Sequence, residues 1–121
     1  MLKKMPSNLA DKTLSSCVIA GDCIFLSHHG GGQDKNDIIH QVRATFESMK
    51  RTLSTVNATL DDIVQLNFYI KNTEDFRKGA DVFKEYFTNG IPARMTVVTE
   101  FVVESCLCQM DAIAYKPAHT E

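Results

Sequence analysis

The chain has 121 residues, of which 44% are hydrophobic and 23% charged, and its formal net charge is -2. This length predicts a single domain over residues 1–121, with the composition of an ordinary soluble protein. The weakly acidic balance argues against nucleic acid or an anionic membrane as a partner. No apolar run reaches the ~20 residues that cross a bilayer, and no signal-peptide pattern is visible, so the cytoplasm is the expected compartment.

The cysteines and adjacent histidines do not indicate a disulfide framework or a metal site. Cys106 and Cys108 would lie on one face of a strand, which is poor geometry for a bridge. His28 and His29 are neighbours, so on an extended strand they point to opposite faces and cannot readily ligate one ion. No metal is predicted, and no histidine stands beside the cysteines to make either a catalytic thiol.

The first predicted elements form a β-hairpin. The first fifteen residues are polar and expected to be irregular. Two apolar runs then flank a Gly-Asp pair at 21–22, which is a two-residue hairpin signal. The register of such a hairpin places Ala20 opposite Cys23 and Cys17 opposite Leu26.

A glycine-rich stretch over residues 28–36 is predicted to be a loop, and a long helix follows it. Asn36 or Asp37 is suited to cap the start of this helix. Its apolar residues recur at helical spacing. They are Ile38, Ile39, Val42, Phe46, Met49, Leu53 and Val56.

The second half of the chain predicts a strand, a helix and two further strands. In the strand over 63–70 the alternating apolar residues are Val64, Leu66, Phe68 and Ile70. The helix is expected to be capped by Thr73 and to end at Asn89-Gly90. Its apolar side carries Phe76, Ala80, Phe83 and Phe87. The last two strands are expected over about 94–102 and 106–115.

The order β-β-α-β-α-β-β predicts an α+β fold with two helices packed on one face of a mixed sheet. The opposite face carries a mixture of polar and apolar side chains. The polar ones are Gln65, Asn67, Gln109 and Asp111. A half-polar face without helices to cover it indicates an interface between subunits.

The most specific pattern is Pro92-Ala93-Arg94 at the start of a strand, followed by a terminal strand that contains Asp111-Ala-Ile-Ala114. Together with the hairpin and the two helices, it resembles the signature of the reactive intermediate deaminase (Rid) family, whose members are also called endoribonuclease L-PSP-like or translation inhibitors. The resemblance implies a chorismate-mutase-like fold and a homotrimer with pockets between subunits. It also implies hydrolysis of 2-imino acids, such as 2-aminoacrylate, to 2-oxo acids and ammonia, without a cofactor.

The resemblance assigns roles to particular residues. Arg94 matches the arginine that grips the substrate carboxylate, and its planar fork of donors suits that task. Ser27 matches a residue that hydrogen-bonds the substrate from a neighbouring subunit. Thr96 lies one strand repeat beyond Arg94 and is expected to line the pocket. Phe87 is a candidate pocket wall, although its spacing also fits the helix core.

Several positions depart from the family pattern. Gln109 stands where the family has a glutamate that positions water, and an amide cannot take a proton from that water. Leu14 replaces a tyrosine, and His28 replaces a glycine beside the substrate. We expect His28 to pack within the loop, and the alternatives are that it narrows the pocket or adds a titrating group to it.

Three functions remain open at this point. The first is a deaminase of small 2-imino acids. The second is a binding protein that holds a small carboxylate metabolite on Arg94 without turnover, which Gln109 favours. The third is a ribonuclease, against which the acidic charge and the lack of a basic stripe argue.

Overall fold

The computed structural model of the chain describes residues 2–117. These residues form a six-stranded sheet, one long helix and two short helices. The elements are β1 Leu2–Pro6, β2 Ser15–Ala20, β3 Cys23–His29, α1 Ile38–Ser54, β4 Ile63–Ile70, α2 Phe76–Asp81, α3 Phe83–Tyr86, β5 Ala93–Val98 and β6 Cys108–Tyr115.

The strand order in the sheet is β1-β2-β3-β6-β4-β5. Only β4 and β5 pair in parallel, and the other neighbours are antiparallel. The helices cover one face, because the side chains that alternate toward them are buried while those on the other face are partly or fully exposed. The α+β fold with helices on one face of a mixed sheet is therefore confirmed.

The hairpin of β2 and β3 has the predicted register. Ala20 pairs with Cys23 and Cys17 with Leu26. Gly21 adopts a φ of 62°, which a side chain would strain, so the Gly-Asp turn explains why the two strands join without a longer loop.

The core lies between α1 and the sheet. Asp37 caps α1 as predicted, because its carboxylate accepts the Ile39 N–H at 3.2 Å. Phe46 is fully buried in α1 and packs edge-on against Phe83, with the ring centroids 5.0 Å apart. This aromatic contact holds the second helical segment against the first.

The sequence predicts one continuous second helix, but the structure divides this segment into the two short helices α2 and α3. Thr73 does not cap a helix but begins a 3-10 turn that leads into α2. The helix breaks at Val82, whose N–H donates to the Gly79 carbonyl three residues back at 3.2 Å. This tighter bond ends the α2 ladder before α3 begins, and α3 ends before the predicted Asn89-Gly90.

Two strand predictions were wrong. Residues 2–6 form β1 rather than irregular chain. In β4, Ile63 pairs with Ala114 and Gln65 with Ile113, which leaves Val64 as an extra residue in a bulge. Val64 is consequently 51% exposed instead of buried.

The last two strands are shorter than predicted. β5 ends at Val98, and β6 begins at Cys108. Between them the chain turns, with the Cys106 N–H donating to the Val103 carbonyl at 3.1 Å. None of the described helices combines the length and the apolarity that a membrane crossing requires.

Candidate functional site

A β-bulge places two of the predicted site residues side by side. The register of β3 against β6 shifts between Leu26 and His29, so Ser27 and His28 together oppose the single residue Asp111. A bulge of this kind bends a strand and re-aims its side chains. Both bulge residues line a cavity of about 290 Å³ on the helix-free face of the sheet.

The bulge is held from beneath by His29, whose side chain is fully buried. His29 Nδ1 lies 2.7 Å from the carbonyl oxygen of Ser27, and Nε2 lies 2.8 Å from Thr52 Oγ1 in α1. A carbonyl only accepts, so Nδ1 carries a hydrogen. Burial lowers the pKa of His29, which favours the neutral ring. Thr52 Oγ1 also lies 3.2 Å from Asn8 Oδ1, so its single hydrogen has two possible acceptors, His29 Nε2 and Asn8 Oδ1.

The two histidines point to opposite sides, as predicted, but both belong to β3 and not to a loop. His28 is exposed while His29 is buried. His28 borders a second cavity of about 220 Å³, together with Gln109 and Leu14. The structure therefore brings three positions that depart from the Rid pattern to one place.

The hydroxyl of Ser27 already forms a hydrogen bond within the chain. It donates to the carbonyl oxygen of Ser15 in the neighbouring strand at 2.5 Å. A hydroxyl has one hydrogen and two lone pairs, so in this arrangement Ser27 Oγ is left as an acceptor for a ligand N–H.

Asp111 is also engaged, on the helix-free face of β6. One carboxylate oxygen accepts the amide of Asn67 at 2.8 Å, and the other accepts the hydroxyl of Tyr69 at 3.0 Å. Burial, and next the bond to Asp111, raise the pKa of Tyr69. This polar cluster orders the floor of the 290 Å³ cavity.

Arg94 lies on the edge strand β5, next to the buried Leu66 of β4, and so on the helix-covered face. Its guanidinium carbon is 5.2 Å from the ring centre of Phe76 and 5.3 Å from that of Phe83. These rings orient the cation. No carboxylate among residues 2–117 pairs with it, and its side chain is exposed.

Thr96 lies beside Phe68 of β4, on the same face as Arg94, as predicted. Phe87 lies elsewhere. It is 3% exposed and packs against Phe46 with the ring centroids 5.4 Å apart. The structure thus places Phe87 in the core of a single chain.

The predicted site residues form two separate groups within one chain. We call Ser27, His28 and Gln109 the bulge half-site, and Arg94 and Thr96 the edge half-site. β6 and β4 lie between β3 and β5, so three strand spacings, about 14 Å, separate Ser27 from Arg94. Arg94 and Gln109 also occupy opposite faces of the sheet.

The cysteines take no part in either half-site. Cys17, Cys106 and Cys108 are buried, and Cys23 is half-buried. Burial raises the pKa of Cys108 to about 12, which suppresses the thiolate that a nucleophile needs. The described part of the chain contains no cluster of three side chains suited to hold a metal ion.

Comparison with known proteins agrees with this architecture. Residues 5–116 match the family model described as Endoribonuclease L-PSP. The chain belongs to this family, which is the Rid family of the sequence resemblance. It is 38% identical over 111 residues to a RutC family protein of Pyrococcus abyssi, covering 92% of this chain and 87% of that protein.

Two further relatives bear on fold and chemistry. The solved structure of a YjgF family protein from Streptococcus pyogenes superposes with a TM-score of 0.85 at 29% identity, covering 95% of this chain and 96% of that one. A 2-iminobutanoate/2-iminopropanoate deaminase of Dermatophagoides farinae is 28% identical over 105 residues, covering 82% of each chain.

Sequence reasoning missed the residues that support the bulge half-site. His29 and Thr52 are 23 positions apart, and no local pattern links them. Tyr69 could have been found, because strand alternation places it on the same face as Asn67.

Proposed function

We propose that this protein hydrolyses small 2-imino acids to 2-oxo acids and ammonia, with the substrate carboxylate bound by Arg94. The observation that carries the proposal is an exposed guanidinium that lies over Phe76 and Phe83 and has no acidic partner in the described chain. An oriented but unpaired arginine is prepared to bind a carboxylate through two parallel hydrogen bonds. The Dermatophagoides farinae relative, named a 2-iminobutanoate/2-iminopropanoate deaminase, supports this substrate class.

We further propose that each complete site lies between two copies of the chain in a homotrimer. A separation of about 14 Å exceeds the reach of a three-carbon acid, so one chain cannot hold the substrate between both half-sites. The helix-free face also exposes Phe25, Met95 and Val97 at 43%, 59% and 39%. Burying this surface against a neighbour is favourable, and it would join the edge half-site of one copy to the bulge half-site of the next.

In the joined site, each half-site has a distinct task. Arg94 fixes the carboxylate, and Ser27 Oγ accepts the imine N–H because its own hydrogen is given to Ser15. Gln109 holds a water molecule through its amide. Imines hydrolyse readily in water, so orientation of the two reactants provides part of the acceleration.

A second function, carboxylate binding without turnover, is favoured by one observation. Gln109 offers no carboxylate to take a proton from water. Arg94 would then serve the same binding role, and the protein would retain ligand without releasing ammonia.

The deciding experiment measures ammonia released from enzymatically generated 2-aminoacrylate. Wild type is expected to accelerate release, and Arg94→Ala to lower kcat/KM by about 100-fold, the size expected for a lost charge-assisted pair. The matched control is Arg77→Ala, because Arg77 also lies over Phe76, at 4.8 Å, but pairs with Asp81. Arg77→Ala is expected to keep wild-type activity.

Three other results would change the proposal. Wild type without acceleration, but with saturable binding of a 2-oxo acid by calorimetry, supports the binding function. Equal activity in wild type and Arg94→Ala contradicts the role of Arg94. RNA cleavage that survives Arg94→Ala would point instead to a ribonuclease site elsewhere.

A further inference from the structure

We propose that His28 is the base that takes the proton from the attacking water, a task that Gln109 cannot perform. This inference rests on the proposed deamination and adds a catalytic residue to it. The two residues border the same 220 Å³ cavity. His28 also borders the 290 Å³ cavity that contains Ser27, and so it lies where the bound imine and its water would meet.

The imidazole of His28 is exposed and makes no hydrogen bond to another side chain or carbonyl in residues 2–117. Its backbone, in contrast, is fixed. His29 donates to the carbonyl oxygen of Ser27 inside the bulge and bonds Thr52 of α1. A free ring on a fixed bulge is suited to accept a proton from water at a constant position.

The other ionisable groups around these cavities already form hydrogen bonds within the chain. Both carboxylate oxygens of Asp111 accept hydrogen bonds from Asn67 and Tyr69. Asp11 accepts two from Thr13, and these bonds lower its pKa, which makes it a poorer base.

His29 also borders the smaller cavity, but its ring is not available to accept a proton from water. Both of its ring nitrogens are hydrogen-bonded, and the side chain is fully buried. Gln33 and Gln109 carry amides, which neither gain nor lose a proton at neutral pH. His28 is therefore the group in this part of the chain with an available basic nitrogen.

The chemical step balances without an oxidant or a further reactant. Water held by Gln109 attacks the imine carbon and gives one proton to His28, while the C=N π pair moves to nitrogen. The imidazolium returns that proton to nitrogen and yields a carbinolamine. His28 then takes the hydroxyl proton and delivers it to the amine nitrogen, so that C=O forms as the C–N bond breaks and the nitrogen leaves as neutral ammonia.

The position of His28 explains how the family chemistry can survive the loss of its glutamate. Where the family has glycine and glutamate, this chain has His28 and Gln109. The basic group is thus moved from β6 to the bulge of β3, across the same cavity. The two substitutions compensate each other, and the proton acceptor stays within the site.

The test compares ammonia release by wild type, His28→Gln, and the double variant His28→Gln with Gln109→Glu. His28→Gln is expected to lower kcat by at least about tenfold and to change KM much less, since general-base contributions reach 10²–10⁴-fold and imines are reactive substrates. Restoring a carboxylate at position 109 is expected to recover most of kcat. The matched control is His40→Gln, because His40 lies on α1 and pairs with Asp34.

The outcomes separate this inference from the proposed function. Activity that needs Arg94 but is unchanged in His28→Gln overturns the role of His28 and leaves the deaminase intact. A loss in His28→Gln that the added glutamate does not recover also overturns it, because the loss is then structural. Wild type without Arg94-dependent ammonia release overturns the deaminase itself.

Discussion

The bulge half-site and the edge half-site differ in how the chain holds them. The bulge is tied to β2 through Ser27 and to α1 through His29, with three hydrogen bonds of 2.5–2.8 Å. Arg94 lies on an edge strand and is exposed, and within residues 2–117 its guanidinium lies over two aromatic rings and forms no ion pair. The bulge half-site is held in place by hydrogen bonds within the chain, whereas the guanidinium of the edge half-site has no ion-pair partner in residues 2–117 and can bind a carboxylate.

The difference agrees with the proposed roles, in which the bulge half-site positions the reacting groups and the edge half-site binds the substrate carboxylate. Groups that transfer protons lose effectiveness when they move by an ångström, so a buried support suits the bulge. A carboxylate arriving from solvent is better met by a guanidinium that has not already paired. The comparison also predicts that the two half-sites respond differently to mutation.

The largest effect is expected when the half-sites are kept apart. Met95→Glu places a charge on the helix-free face of β5, beside Asn67. Burying that carboxylate without a partner costs several kcal/mol, so the dissociation constant of the assembly should rise at least about 100-fold. Light scattering at micromolar concentration should detect monomers, and ammonia release should be lost.

The control for this change is Thr88→Glu, which adds the same charge at an exposed position after α3. It should leave both assembly and activity at wild-type values. If Met95→Glu assembles normally and remains active, the two half-sites are not joined through this face.

An intermediate effect is expected from removing the support of the bulge. His29→Leu leaves the Ser27 carbonyl without that partner, while the Thr52 hydroxyl keeps its bond to Asn8 Oδ1, and one orphaned buried group costs about 1–3 kcal/mol. The free energy of unfolding, measured with urea, should fall by about 1–3 kcal/mol. Arg94→Ala should change it by less than about 0.5 kcal/mol, as for an exposed residue.

Equal stability losses in His29→Leu and Arg94→Ala would contradict the difference between the half-sites. Thr52→Ser is a useful third variant, because it keeps the hydroxyl that His29 contacts. It should retain most of the stability that Thr52→Val loses.

The smallest effect is a pH dependence of stability. Burial lowers the pKa of His29 below its ordinary value of 6.5, so the unfolded chain takes up the proton first as the pH falls. The stabilisation is complete above about pH 6.5 and is lost as the pH falls through the folded pKa. The Tm of wild type should therefore drop on acidification more steeply than that of His29→Gln.

His40→Gln provides the control, since it removes a histidine from the surface of α1. Its Tm should still show the acid-induced drop that His29 causes. An identical slope in wild type and His29→Gln would show that His29 does not titrate differently in the two states.

Local chemistry explains which parts of the fold could be predicted from sequence. The Gly-Asp turn set the register of the hairpin, and the pairing of Cys17 with Leu26 confirms it. The alternation in β4 predicts a regular strand, but the bulge at Val64 places Ile63 in the core. An alternating sequence does not reveal where one strand of a pair carries an extra, unpaired residue.

β1 was missed because its sequence lacks the usual strand signal. Two lysines and a terminal proline in Leu2–Pro6 are typical of an edge strand that avoids further pairing, and not of a buried one. Its pairing with β2 runs from Leu2 opposite Ala20 to Met5 opposite Cys17. That pairing depends on β2, the next element of the chain, and no pattern within Leu2–Pro6 shows it.

The candidate site could be predicted only residue by residue. Arg94 and Ser27 follow from the family signature, but their separation across the sheet depends on the strand order. The support by His29 depends on Thr52 in α1 and could not be inferred from spacing. The sequence therefore indicates candidate site residues more clearly than the contacts that hold them in place.

The uneven burial of the thiols makes the hairpin a natural place for a spectroscopic probe. Cys17, Cys106 and Cys108 are enclosed, and burial raises the pKa of Cys17 as well as Cys108. Alkylation at neutral pH is therefore expected to modify Cys23 first, at the start of β3. A single fluorophore or spin label there, repeated by symmetry in an assembly, would report inter-copy distances without any engineered cysteine.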